Sequence, residues 1–191
     1  MIKAILLAAG QSKRLRSENK LTKIYKKKPL INHILQTLHK SKVNKVIVVL
    51  GYQHKKLKKI LKKDKKNIFI FNRDYKKGMA SSIKVGLKKL SRNDKGFIVV
   101  QSDMPFIKKT DINRIYNSIK LKKYLVYVLK FKNKIGNPIG FDISITKKFK
   151  NIKGKFGAKF MVKKLKNRTK FIRISTAKSF KDFDKASDFR I

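Results

Sequence analysis

The residues able to do chemistry collect at a few points along this chain. Asp103 follows the apolar run Phe97, Ile98, Val99 and Val100, and Pro105 fixes the backbone just beyond it. A carboxylate so placed projects from the end of a buried strand. Hard oxygen ligands suit Mg²⁺, which takes one or two carboxylates together with substrate phosphates. A helix N-cap is the plain structural alternative, because Asp is favoured there. The second point is Ala8-Ala9-Gly10-Gln11-Ser12-Lys13-Arg14. Small residues let backbone approach a ligand closely, and exposed N–H groups there bind phosphate oxygens. Ser12, Lys13, Arg14 and Lys20 add donors and positive charge. Neither the Walker pattern nor G-x-G-x-x-G is present, so a tight turn with solvated cations accounts equally well for this loop alone. The third point is Asp182, Asp184 and Asp188, the densest acidic group in the chain. One of them is a candidate second metal ligand; a capping cluster is the alternative. His33, His39 and His54 show no ligand spacing, and no Ser-His-Asp arrangement can be read.

Scarcity sharpens the carboxylates. The chain has 10 acidic residues against 53 Lys and Arg, and Glu18 is the only Glu. Where surface acids are replaced so freely, each one that remains is a better candidate for a task, although a cationic partner is always at hand.

These points need a scaffold, and the apolar pattern supplies one. Continuous apolar runs predict strands at Ile2–Leu7, Lys45–Leu50, Ile68–Phe71, Gly96–Gln101 and Leu125–Phe131. Amphipathic spacing predicts helices at Leu30–Leu38, Lys55–Leu61, Ser81–Leu90 and Ile112–Ile119. The second half is less regular, with a helix within Gly154–Leu165 and a late strand at Lys170–Ile174. Apolar strands alternating with such helices imply a mostly parallel sheet covered on both faces, a doubly wound three-layer α/β/α sandwich. Ligands of such sheets sit at the carboxyl ends of the strands. The first loop, Asp103 and the stretch Arg73–Ser82 all fall there.

Length and composition set the outer bounds. The chain has 191 residues, which suggests one domain spanning 1–191, and no linker or repeat interrupts it. There is no Cys, which excludes disulfides, Cys-based zinc sites and Cys nucleophiles. No apolar run approaches the ~20 residues of a membrane span. Ile2–Ala9 runs straight into a glycine loop, unlike a secretory leader, so a cytoplasmic protein is expected. The net charge of +43 invites a nucleic-acid reading. The lysines are spread from end to end, however, and Arg numbers only 8 against 45 Lys. Arg is the better fork for phosphate and base edges. The excess therefore reads mainly as a solvated surface, with nucleic-acid binding non-specific if it occurs. The field still concentrates a phosphate-bearing substrate.

Six segments, in order, resemble the small nucleotidyltransferases that include the molybdenum cofactor guanylyl- and cytidylyltransferases. Leu7-Ala8-Ala9-Gly10-Gln11-Ser12-Lys13-Arg14, with Lys20 following, resembles L-A-[AG]-G-x-S-x-R-M-G-x-x-K, with Leu15 for Met and Arg16 for Gly. Gly78-Met79-Ala80-Ser81-Ser82 resembles G-M-S-x-S, and Ser102-Asp103-Met104-Pro105 resembles G-D-M-P with Ser for Gly. Gly136-Asn137-Pro138-Ile139-Gly140-Phe141 resembles G-[HN]-P-V-x-F. Gly154-Lys155-Phe156-Gly157-Ala158-Lys159 resembles G-D-x-G-A-R, with Lys155 and Lys159 replacing the acid and the arginine. Asp182-Phe183-Asp184-Lys185-Ala186-Ser187-Asp188 resembles D-I-D-T-P-E-D.

The resemblance implies a Rossmann-like nucleotidyltransferase fold and specific roles. Leu7, Ala8, Ala9, Gly10, Ser12 and Arg14 would form the nucleotide and triphosphate loop. Lys20 would reach the phosphates. Gly78, Ser81, Ser82 and Ser102 would line the nucleotide pocket. Asp103 would hold Mg²⁺, with Asp184 as second carboxylate, and Arg14, Lys20 and Asp103 would be the catalytic set. Asn137, Pro138, Phe141, Gly157 and Ala158 would face the acceptor. Ala8-Ala9-Gly10 and the Gly78–Ser82 segment look more like the cytidylyl branch. That implies CTP, or another NTP, as donor, molybdopterin as acceptor and a molybdenum hydroxylase apoenzyme as partner. An NTP transferase for a sugar phosphate or another phosphorylated small molecule is the alternative.

Overall fold

The computed structural model describes residues 1–12, 18–61, 64–154 and 157–190. The chain runs β1 (Ile2–Ala8), β2 (Ile24–Tyr25), β3 (Lys28–Pro29), α1 (Leu30–His39), β4 (Lys45–Leu50), α2 (His54–Ile60) and β5 (Asn67–Phe71). It continues through α3 (Met79–Leu87), β6 (Gly96–Gln101), α4 (Lys109–Lys120), β7 (Val126–Phe131), β8 (Lys134–Asp142), α5 (Ala158–Lys164) and β9 (Thr169–Arg173). Short 3₁₀ turns fill the connections, the longest at Ile143–Asn151.

Seven strands form one sheet in the order β5-β4-β1-β6-β8-β7-β9, and β2 and β3 make a small separate ribbon. β5, β4, β1 and β6 are parallel neighbours. β8 alone runs against both of its neighbours. The sheet is thus mostly parallel, as the alternation of apolar runs and amphipathic helices predicts.

Side chains alternate across each strand, so each strand feeds two cores. Ala4, Leu6, Val46, Val48, Ile98 and Val100 meet α1, α2 and α4 on one face. Ile5, Ile47, Val49, Phe97 and Val99 meet α3, α5 and the Ile143–Asn151 turn on the other. Both faces of β1, β4 and β6 are buried, which is why these strands read as unbroken apolar runs rather than as alternating ones.

The antiparallel β8 is the element that the apolar pattern does not reveal. It carries Gly136, Pro138 and Gly140, all unfavourable in strand interiors. The structure accommodates them locally. The β7–β8 register passes from Val128↔Ile139 to Leu129↔Gly136, so Asn137 and Pro138 bulge out of the ladder. A bulge needs no donor from Pro138. Gly136 admits the ring of Phe180, whose Cδ1 would lie 2.3 Å from any Cβ built there. That contact holds the C-terminal segment against the sheet.

One histidine gives the fold a pH response. His33 on α1 has its Nε2 2.7 Å from the carbonyl oxygen of Tyr25, and the two rings lie 5.1 Å apart. Burial lowers the His33 pKa, and the charges of Lys28 and Lys26 lower it further against the opposing hydrogen bond. The imidazole therefore takes up its proton at lower pH in the fold than in the unfolded chain, where it titrates near its ordinary value. Its contribution to stability is complete above that ordinary value and is lost as the pH falls through it. Between about pH 7 and about pH 5, wild type should lose stability more steeply than His33→Gln. Urea denaturation at both pH values checks this; equal losses would contradict the assignment.

Candidate active site

The carboxyl ends of β1 and β6 lie side by side, and a cleft of about 720 Å³ opens above them. That volume is within the range of about 300–1,000 Å³ typical of small-ligand pockets. Leu7, Ala9, Gly10, Gln11 and Ser12 line one wall, and Tyr75, Lys76, Lys77, Gly78, Met79 and Ser82 another. Lys20, Leu21, Gln101, Ser102, Asp103, Gly154 and Asp184 complete it.

Each wall has a local cause. Ser102 at the end of β6 donates its hydroxyl to the carbonyl of Leu7 at 2.7 Å, pinning the ends of β6 and β1 together. Gly78 has φ +98°, a backbone conformation that side chains disfavour, and it lets the chain turn sharply from the Tyr75–Lys77 turn into α3. Behind it, Asn72 is fully buried and donates to the hydroxyls of Ser81 and Ser82 at 2.9 and 3.0 Å. Asn19, also 0% exposed, accepts from the Leu21 N–H at 3.1 Å and donates to the carbonyl of Tyr52 at 3.2 Å. It caps the short turn Lys20–Thr22 and anchors the return of the first loop. Ser12 accepts the backbone N–H of Lys20 at 3.0 Å. The main chain at Lys20 is thereby held at two adjacent points.

The chemical centre is a triad of charges. The Lys20 ammonium lies 2.6 Å from Asp103 Oδ2 and 2.7 Å from Asp184 Oδ1. Desolvation would lower the pKa of Lys20, but the charges and hydrogen bonds of Asp103 and Asp184 outweigh it and hold the pKa above the ordinary lysine value. Lys20 therefore stays cationic at neutral pH. The other oxygen of Asp103, Oδ1, is buried and has no hydrogen-bond partner among the described residues. An unpartnered buried carboxylate oxygen is costly; beside a second carboxylate it is the donor set that a hard cation needs. Asp103 and Asp184 thus fit a divalent metal, with substrate oxygens completing the shell. Asp182 stands in the same acidic corner. Its pKa is raised by desolvation and then by the charges of Asp184 and Asp103.

Asp184 arrives on a strap. The turn Ala177–Phe180 is fastened by Ser179, whose buried hydroxyl donates to Asp111 on α4 at 2.8 Å. Phe183 is 0% exposed, and its N–H donates to the carbonyl of Asp103 at 2.9 Å. Its ring packs on Tyr25, Phe106 and Phe189, with centroids 4.8, 5.7 and 5.2 Å away. Asp188 accepts the N–H groups of Asp184 and Lys185, both at 2.9 Å. These bonds, to Lys185 and then Asp184, hold the Asp188 carboxyl below its ordinary pKa.

The structure therefore gathers Leu7, Ala9, Gly10, Ser12, Lys20, Gly78, Ser82, Ser102, Asp103 and Asp184 at one cleft. Arg14 lies outside the described residues. Three expected residues do other work. Ala8 points into the core at 0% exposure. Ser81 braces its own loop, donating to the carbonyls of Asp74 and Gly78. Phe141 is fully buried against Phe97 and Phe149, so an acceptor cannot reach its ring. Among the described residues lining the cleft, none is Asn137, Pro138, Phe141, Gly157 or Ala158. Asn137 and Pro138 form the buried bulge, and Ala158 is 2% exposed in the core. Gly157 borders the site through Met79, whose sulfur would lie 2.4 Å from a Cβ. The residues to which the sequence assigns no role are Gln11, Leu21, Tyr75, Lys76, Lys77, Met79, Gln101 and Gly154 in the lining, with Asn19 and Asn72 behind it. Asn19 carries a faint signal as an Asn before a short turn; burial of the two asparagines is visible only in three dimensions.

Residues 4–169 match the model of the MobA-like NTP transferase domain. The chain belongs to that family. Among curated relatives of this MobA-like chain, the bifunctional protein GlmU of Clostridioides difficile (strain 630) is 30% identical over 142 residues. The match takes in 73% of this chain but 29% of GlmU, so the chain spans under a third of that relative. Among solved structures, Rv0371c of Mycobacterium tuberculosis H37Rv superposes with a TM-score of 0.84 at 19% identity, covering 100% of this chain and 96% of that one. A manganese complex of Rv0371c superposes at 0.75, with 17% identity and coverage of 99% and 96%. Molybdopterin-guanine dinucleotide biosynthesis protein A of Archaeoglobus fulgidus gives 0.74 at 16% identity, covering 98% and 95%. These structures share the fold of the chain. No described helix is long and apolar enough to cross a membrane.

Proposed function

We propose that this chain transfers CMP from CTP to the phosphate of molybdopterin, releasing pyrophosphate and forming a dinucleotide cofactor. The observation that carries the reading is the convergence of Asp103 and Asp184 on Lys20 at the strand ends, beneath a loop of small residues. An acceptor phosphate oxygen attacks the α-phosphorus of CTP in line; a new P–O bond forms, and the bond to the β-bridging oxygen breaks. A phosphate monoester is already anionic near neutral pH, so no protein base is needed. Ala9, Gly10 and Ser12 bring backbone close to the triphosphate, Arg14 adds a guanidinium, and Lys20 offsets charge on the departing pyrophosphate. Such chemistry rests on positioning and charge stabilisation. Asp103 and Asp184 would hold Mg²⁺, which when bound neutralises phosphate charge. The manganese complex of Rv0371c and the carboxylate pair both support a divalent ion. The Gly78–Ser82 segment and Ala8-Ala9-Gly10 support CTP. We place the chain in the cytoplasm, as a single domain, delivering its product to a molybdenum hydroxylase apoenzyme.

The test is pyrophosphate release by purified protein with Mg²⁺ and molybdopterin, comparing CTP, GTP and ATP. CTP-selective release is expected. Release with GTP alone would overturn the base assignment. Release with a sugar 1-phosphate and none with molybdopterin would overturn the acceptor. Release with no acceptor would overturn the transferase reading.

A further inference from the structure

We infer that Lys20 is a built-in counter-ion that competes with the divalent cation for the Asp103–Asp184 pair, so that a nucleotide's phosphates must draw Lys20 away before the cation binds tightly. This rests on the proposed reading of the cleft as a nucleotidyl-transfer centre.

The geometry carries it. One ammonium sits between oxygens from two elements far apart in the chain, 2.6 Å from Asp103 and 2.7 Å from Asp184. The side chains of Lys20 and Asp103 are only 15% and 18% exposed, so water screens them little. A hard cation would bind the same two carboxylates at about 2.0–2.6 Å, with the unpartnered Asp103 Oδ1 open to it. It would then lie within a few ångströms of the ammonium, where like charges in a poorly screened site repel strongly. With neither cation, the two carboxylates would repel each other, with Asp182 nearby.

Only the side chain of Lys20 is free to leave. Its backbone N–H is bound to Ser12, and Asn19 fixes the turn that follows. Its four-carbon stem ends in a point charge with rotatable donors, and the wall of Gly10, Gln11 and Ser12 lies in the same cleft. A triphosphate on that wall gives the ammonium a new partner as it leaves the carboxylates. Nucleotide and cation then bind with positive coupling through Lys20, and that coupling is reciprocal. A lysine that served only as a phosphate ligand would not set nucleotide-free metal affinity.

Mn²⁺ is the probe, read as loss of the free-ion electron paramagnetic resonance signal on titrating the full chain. Nucleotide-free Lys20→Met should bind Mn²⁺ at least about tenfold more tightly than wild type. CTP, or GTP in a parallel series, should tighten Mn²⁺ binding more for wild type than for Lys20→Met, after subtraction of the Mn²⁺–nucleotide complex measured alone. Equal nucleotide-free affinities would overturn the counter-ion role. Should Lys20→Met be unfolded without metal, refolding on Mn²⁺ addition supports the role, and failure to refold overturns it. An Asp103→Asn/Asp184→Asn variant separates the two readings. It should lose Mn²⁺ binding in every arm; if it does not, the metal site itself fails rather than the competition at it.

Discussion

Asp103→Asn is expected to lower the rate of pyrophosphate release by about a thousandfold or more. Asn has the shape of Asp without its charge. Asp103 lies at the end of β6, with one oxygen on Lys20 and the other buried and unpartnered among the described residues. The substitution removes the strand-borne half of the carboxylate pair and leaves Lys20 with Asp184 alone. The fold should survive, because Asp103 supplies no packing to either core and a poorly compensated buried charge is itself costly. Circular dichroism and thermal melting should therefore match wild type while turnover is lost. More than about a tenth of wild-type turnover in the folded variant would contradict the role, since a tenfold loss corresponds to only about 1.4 kcal/mol of barrier.

The second large effect is Phe183→Ala. Phe183 has no exposed surface, and its ring touches three other aromatic rings. Truncating such a residue typically costs about 3–5 kcal/mol. Here part of that cost should be local. Phe183 is the apolar anchor of the strap that carries Asp184, so the strap should detach before the sheet melts. Lysines and arginines flank the anchor at Lys178, Lys181, Lys185 and Arg190, so trypsin should nick the variant there far faster than wild type. Urea denaturation gives the total loss, and limited proteolysis gives its location. A loss below about 1 kcal/mol, within the range of surface substitutions, would contradict the anchoring role.

The sheet was legible because its parallel strands are buried on both faces. Val46–Leu50 and Phe97–Val100 contain no polar residue to confuse the reading, and Leu30, Ile31, Ile34, Leu35 and Leu38 repeat at helical spacing. β8 was not legible, because its glycines Gly136 and Gly140 make room for Phe180, Ile115 and Ile119, neighbours distant in sequence. The strap was not legible either. Residues 177–190 have no periodicity, and nothing in the sequence sets Phe183 apart from Phe180 and Phe189 as the anchor. Within the site, Asp103 could be found because a lone carboxylate ends an apolar strand. Ala8 and Phe141 were misplaced for the same reason as each other. Both belong to strand-end motifs, but strand alternation turns their side chains into the core. Lys20, Asp103 and Asp184 could be named separately, but their meeting is a property of topology.

That meeting has a consequence for how the molecule acquires its competence. The Lys20–Asp103 contact closes 83 residues of chain and the Lys20–Asp184 contact closes 164. Contacts of such long sequence separation form only after closer pairings have reduced the entropy of closure. The central strands must assemble before the strap has a surface to dock on. The charged centre is then expected to form late, and substitutions in the strap are expected to act on the rate of opening more than on the rate of folding. A population with a complete sheet and an undocked strap would carry nearly all the regular secondary structure and none of the activity. Competence is therefore a local equilibrium, set by Phe183, Ser179 and Asp188, within a scaffold already folded.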